Sequence, residues 1–199
     1  MKEVILNENV KIYICKIVDY NPEELKNQIN LNLNFNRGAE STSNKLSGIQ
    51  SLLIIESNEI LSLKQKCLNF LNLISNNESG LCFMRNWFYI NDSKTTETFF
   101  HEHTKNKEIP NLNIDWTYTF YVQMPNNLKG NEGQLIFKTD DGKLYSILPE
   151  EGDLVIFPSN LLHMPELCPN STKERIVLGG VYTKLDLNKS YNKSNKTIL

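Results

Sequence analysis

Apolar positions along the chain keep two different periods. "VKIYICKIV" (Val10 to Val18) is dense in β-branched residues and predicts a strand. In "NPEELKNQINLNLNF", Pro22 stands at a first-turn position beside two acids, and Leu25, Ile29 and Leu33 recur every fourth residue. That spacing predicts an amphipathic helix. "SNEILSLKQKCLNFLNLI" aligns Ile60, Leu63, Cys67, Leu71 and Ile74 on one stripe and predicts a second helix. After "SNNESG" the character changes. "LCFMRNWFYIN", "WTYTFYVQM", "GQLIFKT", "KLYSIL", "GDLVIF" and "RIVLGGVYTKL" are short β-type runs, separated by turns such as "PNNLKGNEG" and "TDDG". Helices over about residues 22–75 and a β-core over about 80–185 predict a mainly β fold with N-terminal helices packed on a sandwich or jelly roll. Residues 1–185 read as a single domain without internal repeats, and residues 186–199 as a flexible tail with little to bury.

Composition narrows the class. The 199 residues are 40% hydrophobic and 22% charged, the balance of a soluble globular protein. A net charge of -2, with no Lys/Arg run interleaved with aromatics, argues against nucleic acid as a partner. No apolar run reaches the roughly 18–20 residues of a membrane helix. The N-terminal stretch lacks the small-residue cleavage site of a signal peptide, so the expectation is a cytoplasmic protein without a membrane partner. Cys15, Cys67, Cys82 and Cys168 form no CxxC pattern and read as reduced thiols in that compartment.

The chemistry gathers around three histidines. His101 and His103 stand in "FFHEHTKNKE". On a strand or its end, side chains alternate with period two, so both imidazoles point one way and Glu102 the other. His163 stands in "PEEGDLVIFPSNLLHMPEL", after a turn (Pro149 to Gly152), an apolar strand (Leu154 to Phe157) and a short loop. Arg175 follows twelve residues later and opens "RIVLGGVY". From a neighbouring antiparallel strand it can reach the same cavity. A buried Arg needs an anion, and its planar fork suits a carboxylate. Imidazole suits Fe, Zn, Cu or Ni, so the ligands alone leave the metal open. A metal beside a carboxylate-binding Arg in a β-sandwich is what a 2-oxoglutarate-using iron enzyme requires. The 2-oxo acid chelates iron through its keto and C1 carboxylate groups, and its far carboxylate needs a cation.

At these residues the chain resembles the 2-oxoglutarate/Fe(II)-dependent oxygenases of the prolyl-hydroxylase-like superfamily. "GDLVIFPSNLLH" is similar to that group's segment leading to the distal His, and "GQLIF" to its Gly-x-Leu-x-Phe strand. "TYTFYVQMP" is similar to its Ser-Gly-x-Tyr-Tyr-Val-x-x-Pro segment, matching at Tyr121, Val122 and Pro125. "SNKLSGIQS" and "NWF" resemble an upstream signature and a Trp strand of one branch. The likeness spans roughly residues 40–183.

The resemblance implies a double-stranded β-helix (jelly roll, cupin-like) core with Fe(II) at one open end. His101 and His163 would be ligands, with His103 in the third position. Arg175 would bind the far carboxylate of 2-oxoglutarate, with Tyr121 and Asn86 helping in that pocket. The implied reaction hydroxylates an organic or peptidyl substrate and releases succinate and CO2. Two departures stand out. Most of the superfamily has HxD or HxE, a two-His-one-carboxylate set, where this chain has His103. The superfamily often has Ser two residues after the Arg, where this chain has Val177; Tyr118 is a substitute hydroxyl. The loops expected to line the substrate pocket, Asn36 to Gly48 and Lys105 to Asp115, are polar and name no substrate. Two alternatives compete. A cupin-type metal enzyme would add Glu108 to the histidines, but His163 lies eleven residues after Gly152 where the cupin motif wants three. A catalytically silent jelly-roll binding module is the other.

Overall fold

The computed structural model describes residues 1–35, 49–53, 55–75, 81–104 and 115–184. It opens with a hairpin of β1 (Lys2–Asn7) and β2 (Val10–Lys16), followed by α1 (Pro22–Phe35), β3 (Ile49–Leu52) and α2 (Asn58–Ile74). Seven strands complete it: β4 (Leu81–Asn91), β5 (Trp116–Gln123), β6 (Leu135–Lys138), β7 (Leu144–Ile147), β8 (Asp153–Pro158), β9 (Leu162–Pro165) and β10 (Arg175–Lys184). They pair antiparallel in two sheets, a seven-stranded one in the order β1-β2-β8-β5-β10-β4-β3 and a three-stranded one in the order β7-β6-β9. Two antiparallel sheets with two helices on one side fit a jelly roll.

The strand pleat sorts the core into two layers. Leu154 and Ile156 of β8, Phe120 and Val122 of β5, and Ile176 and Leu178 of β10 pack under the helices, against Leu25, Ile29, Ile60, Leu63, Cys67 and Leu71. Their neighbours Val155, Phe157, Tyr121 and Val177 face the small sheet and meet Leu135 and Phe137 of β6. Each fully buried aliphatic or aromatic side chain stabilises the fold by roughly 1.5–3 kcal/mol. The helices start and dock as their sequences dictate. Ser57 caps α2 through its Oγ, which accepts from Ile60 N at 3.4 Å. Asn32, fully buried in α1, clasps both backbone groups of Ile55 at 2.9 Å and so ties α1 to the approach of α2.

Gly152 joins three strands. Its N–H donates to Tyr121 O at 2.8 Å, its carbonyl accepts from Ile17 N at 2.9 Å, and its φ is 84°. A Cβ there would meet Ile17 O at 2.7 Å, so the position demands glycine. Both predicted helices and the six predicted runs of the β-core are present. Three short strands, β1, β3 and β9, were not anticipated, because four to six residues carry too little alternation to register. Among the described residues no helix is long and apolar enough to cross a membrane. The tail at 186–199 lies outside the described residues.

Candidate metal centre and its cleft

Backbone pairing brings His101 to His163. Each N–H donates to the other's carbonyl at 3.0 Å, an antiparallel bridge that extends the small sheet past β9. A directly opposed pair puts its two side chains on the same face. His103 is held two residues on, where its N–H donates to Ser159 O at 2.9 Å, in the turn between β8 and β9. Ser159 is itself fixed by a 2.8 Å hydroxyl contact with Thr117 of β5. The ring centroids lie 4.3 Å (His101–His163), 5.1 Å (His101–His103) and 5.1 Å (His103–His163) apart. One donor atom from each comes within 4.8 Å of the others, a grouping able to share one ion.

The tautomers suit coordination. His101 Nδ1 contacts Phe99 O at 3.1 Å and His163 Nδ1 contacts Leu161 O at 3.0 Å. A carbonyl only accepts, so Nδ1 carries the proton and Nε2 keeps its lone pair. Burial pushes all three imidazoles below the usual histidine range. His103 falls to about 3, through burial first and then the charges of His101 and Arg85. All three are therefore neutral at physiological pH, the form that binds a cation.

A cleft opens beside the histidines between the two sheets. It holds about 50 Å³ of room for solvent, and about 490 Å³ when its open side is included. At its inner end sits Arg175, which is 1% exposed. Its Nη2 donates to Glu166 O at 2.9 Å and its Nη1 to Gly133 O at 3.4 Å, but its Nε has no partner among the described residues. It makes no ion pair with any described residue. A buried guanidinium without a counter-ion has the chemistry to take an anion. Tyr89 and Tyr121 flank it across β10, opposite Val177. Burial pushes the Tyr121 phenol up to about 12, against a downward pull from Arg175, and raises Tyr89 in the same way. Both phenols stay protonated and can donate. Asn91 Nδ2 holds the Tyr89 hydroxyl at 3.1 Å. One step nearer the histidines, Trp87 and Thr119 face each other across Gly179. The Trp87 ring lies 4.9 Å from that of His103, and Thr119 Oγ1 is buried beside Tyr121.

Of the residues expected at this site, His101, His103, His163, Arg175 and Tyr121 share the cleft. Tyr118 and Asn86 do not. Tyr118 packs under the helices, its hydroxyl donates to Asn86 Oδ1 at 2.5 Å, and Asn86 Nδ2 donates on to Glu56 at 3.1 Å. The reason is parity: Tyr118 and Tyr121 are three apart on one strand and face opposite sides. The same alternation, counted from Tyr121, points to Thr119, and on β4 it groups Tyr89 with Trp87. Glu108 lies outside the described residues, as do both expected pocket loops apart from Asp115.

The sequence matches no family model and no curated protein. Solved structures do match. A viral collagen prolyl hydroxylase from Paramecium Bursaria Chlorella virus-1, in its 2OG complex, aligns over 87% of this chain and 97% of its own at 16% identity, with a TM-score of 0.61. The α-ketoglutarate-dependent carbocyclase SnoK from nogalamycin biosynthesis aligns over 92% of this chain and 85% of its own at 12% identity, TM-score 0.69. A prolyl-4-hydroxylase from Pseudomonas putida aligns over 86% and 92% at 15% identity, TM-score 0.60. These neighbours are 2OG/Fe(II)-dependent oxygenases, and this chain has their fold.

Proposed function

We propose that the chain is an Fe(II)- and 2-oxoglutarate-dependent dioxygenase on a double-stranded β-helix, oxidising a C–H bond of an organic or peptidyl substrate. The observation that carries the reading is Arg175, a buried guanidinium without a counter-ion, in the same cleft as three neutral imidazoles. A ligand that satisfies both ends is a chelating acid with a second carboxylate. Its far carboxylate would take the unpartnered Arg175 Nε. Tyr121 and Tyr89, protonated beside it, would supply the hydroxyl donors that Val177 lacks. His101, His103 and His163 would hold the metal. Bound iron and 2-oxoglutarate together supply the activation of dioxygen and the oxidative decarboxylation to succinate and CO2. The chain's own part is to hold the acid in one orientation and keep water out with Trp87, Leu135, Pro165 and Val177.

Anaerobic calorimetry of the iron-loaded protein tests the binding, and succinate release on admitting oxygen tests the chemistry. The expected result is 2-oxoglutarate binding followed by slow succinate release without added substrate, both lost in His163→Ala. No heat and no succinate from the unsubstituted protein would sink the reading.

A further inference from the structure

β4 carries a second cation just beyond the cleft lining, one pleat step past Trp87 on the row that leads away from Arg175. Trp87 and Tyr89 both line the cleft, while Phe88 and Ile90 face the helices. Arg85 shares the parity of Trp87 and Tyr89. Its register partner is Val181, that of Trp87 is Gly179, and that of Asn91 is Arg175. Outward from Arg175, the rows therefore run Tyr89, then Trp87 beside His103, then Arg85. Each two-residue step is about 7 Å. Beyond Arg85 the β4–β10 register slips between Val181 and Tyr182, the kind of irregularity that re-aims side chains at a site's edge.

The platform under Arg85 is built. Trp87 can lie across β10 only because Gly179 has no side chain; a Cβ there would come within 2.6 Å of the indole. The Arg85 guanidinium sits 5.9 Å from the Trp87 ring centroid. It is exposed and makes no ion pair with a described residue. No Asp or Glu among the described residues lines the cleft, so the walls that these residues form are neutral or positive.

We propose that Arg85 is a specificity-determining residue, and that the substrate carries an anionic group, a carboxylate or a phosphate, bound by Arg85 while Trp87 covers the adjoining apolar part. This rests on the oxygenase reading above. Arg175 is committed to the inner anion, and an extended strand separates the two cations, so one small acid cannot use both. The outer cation is left for the molecule that enters second.

The test uses Co(II)-loaded protein saturated with 2-oxoglutarate, in a Trp116→Phe background that leaves Trp87 as the sole tryptophan. Phenylacetate, phenyl phosphate and phenylacetamide are titrated against Trp87 fluorescence. At least one anion should bind about fivefold more tightly than the neutral amide, the scale of a solvent-exposed charge pair. Which anion does so tells carboxylate from phosphate. Arg85→Gln should erase the preference, Arg85→Lys should keep most of it, and salt at roughly 0.5 M should weaken it. Equal binding of amide and anions, or an unchanged preference in Arg85→Gln, would overturn the proposal. Co(II) absorption and 2-oxoglutarate affinity are read from the same samples. Their absence would overturn the oxygenase reading and this proposal with it. Their presence without an anion preference would overturn this proposal alone.

Discussion

Replacing Arg175 with Met separates a ligand-binding cation from a structural one, because the two roles change stability and affinity in different directions. In the ligand-free chain the guanidinium is 1% exposed and its firm contact is the 2.9 Å bond to Glu166 O. Leaving that carbonyl with only the weak Cys168 thiol at 3.8 Å costs at most about 1–3 kcal/mol. The substitution also removes a buried charge that has no counter-ion, which relieves several kcal/mol of desolvation. Met has similar length and fills irregular space. The ligand-free Met variant should therefore be as stable as the parent or more so. Affinity for 2-oxoglutarate should fall by about 2–5 kcal/mol, the range for truncating one side of a buried charge pair, or roughly 30-fold to several thousand-fold. Urea unfolding without ligand reads the first quantity, and anaerobic calorimetry with Fe(II) or Co(II) reads the second. Arg175→Lys should lie between, because an ammonium cannot make the planar fork. A Met variant that unfolds several kcal/mol more easily, yet binds 2-oxoglutarate as the parent does, would show that Arg175 serves only to brace Glu166 and Gly133.

Three further outcomes are expected. Chelation should lower the thermal midpoint of the metal-loaded protein, since an ion at 100 times its Kd stabilises by about 2.7 kcal/mol; a midpoint indifferent to both metal and chelator would count against a site at the three histidines. Tyr118→Phe removes the donor to Asn86 Oδ1 and should destabilise by about 1–3 kcal/mol in urea while leaving 2-oxoglutarate affinity unchanged, because that hydroxyl faces the helices. Gly179→Ala should cost about 1–3 kcal/mol and shift Trp87 fluorescence, because the added Cβ would lie 2.6 Å from the indole; a native spectrum would show that the ring is not seated as described.

The layering of the fold was legible because α2 and β8 announce themselves locally: one by a stripe from Ile60 to Leu71, the other by a continuous apolar run buried on both faces. The histidines were legible for a different reason. Few in number, they stand in spacings that mean little unless they meet. What stayed hidden was which side of the sheet each neighbour takes. Tyr118 and Asn86 are polar, aromatic-adjacent and close in sequence to the right strands, and nothing in composition separates them from Tyr121 and Thr119. Only the parity of β4 and β5 does, and parity has to be anchored on a residue whose side is already known. Thr119 and Tyr89 follow from Tyr121 and Trp87 once that anchor exists. The bridge between His101 and His163 was beyond reach for another reason: it joins residues 62 apart through a single pair of backbone hydrogen bonds that no local pattern encodes.

The imidazole at position 103 has a counterpart in β4. The Trp87 ring lies 4.9 Å from that of His103, tilted by 39°. An aromatic face carries negative charge density, so it tolerates a neutral imidazole and repels a carboxylate held above it. Trp87 in turn depends on Gly179 for its seat. Gly179, Trp87 and His103 are thus linked by contact, and an Asp at position 103 would change the contact with the indole as well as the ligand set. Under the metal reading the consequence is electrostatic. Three neutral imidazoles leave a divalent ion fully charged, Arg175 adds another positive charge, and no carboxylate among the described residues lines the cleft to offset them. A dianionic acid leaves one positive charge over. On that reading the cleft would favour a second anion, and Arg85 lies one pleat step beyond Trp87, on the row that leads away from Arg175.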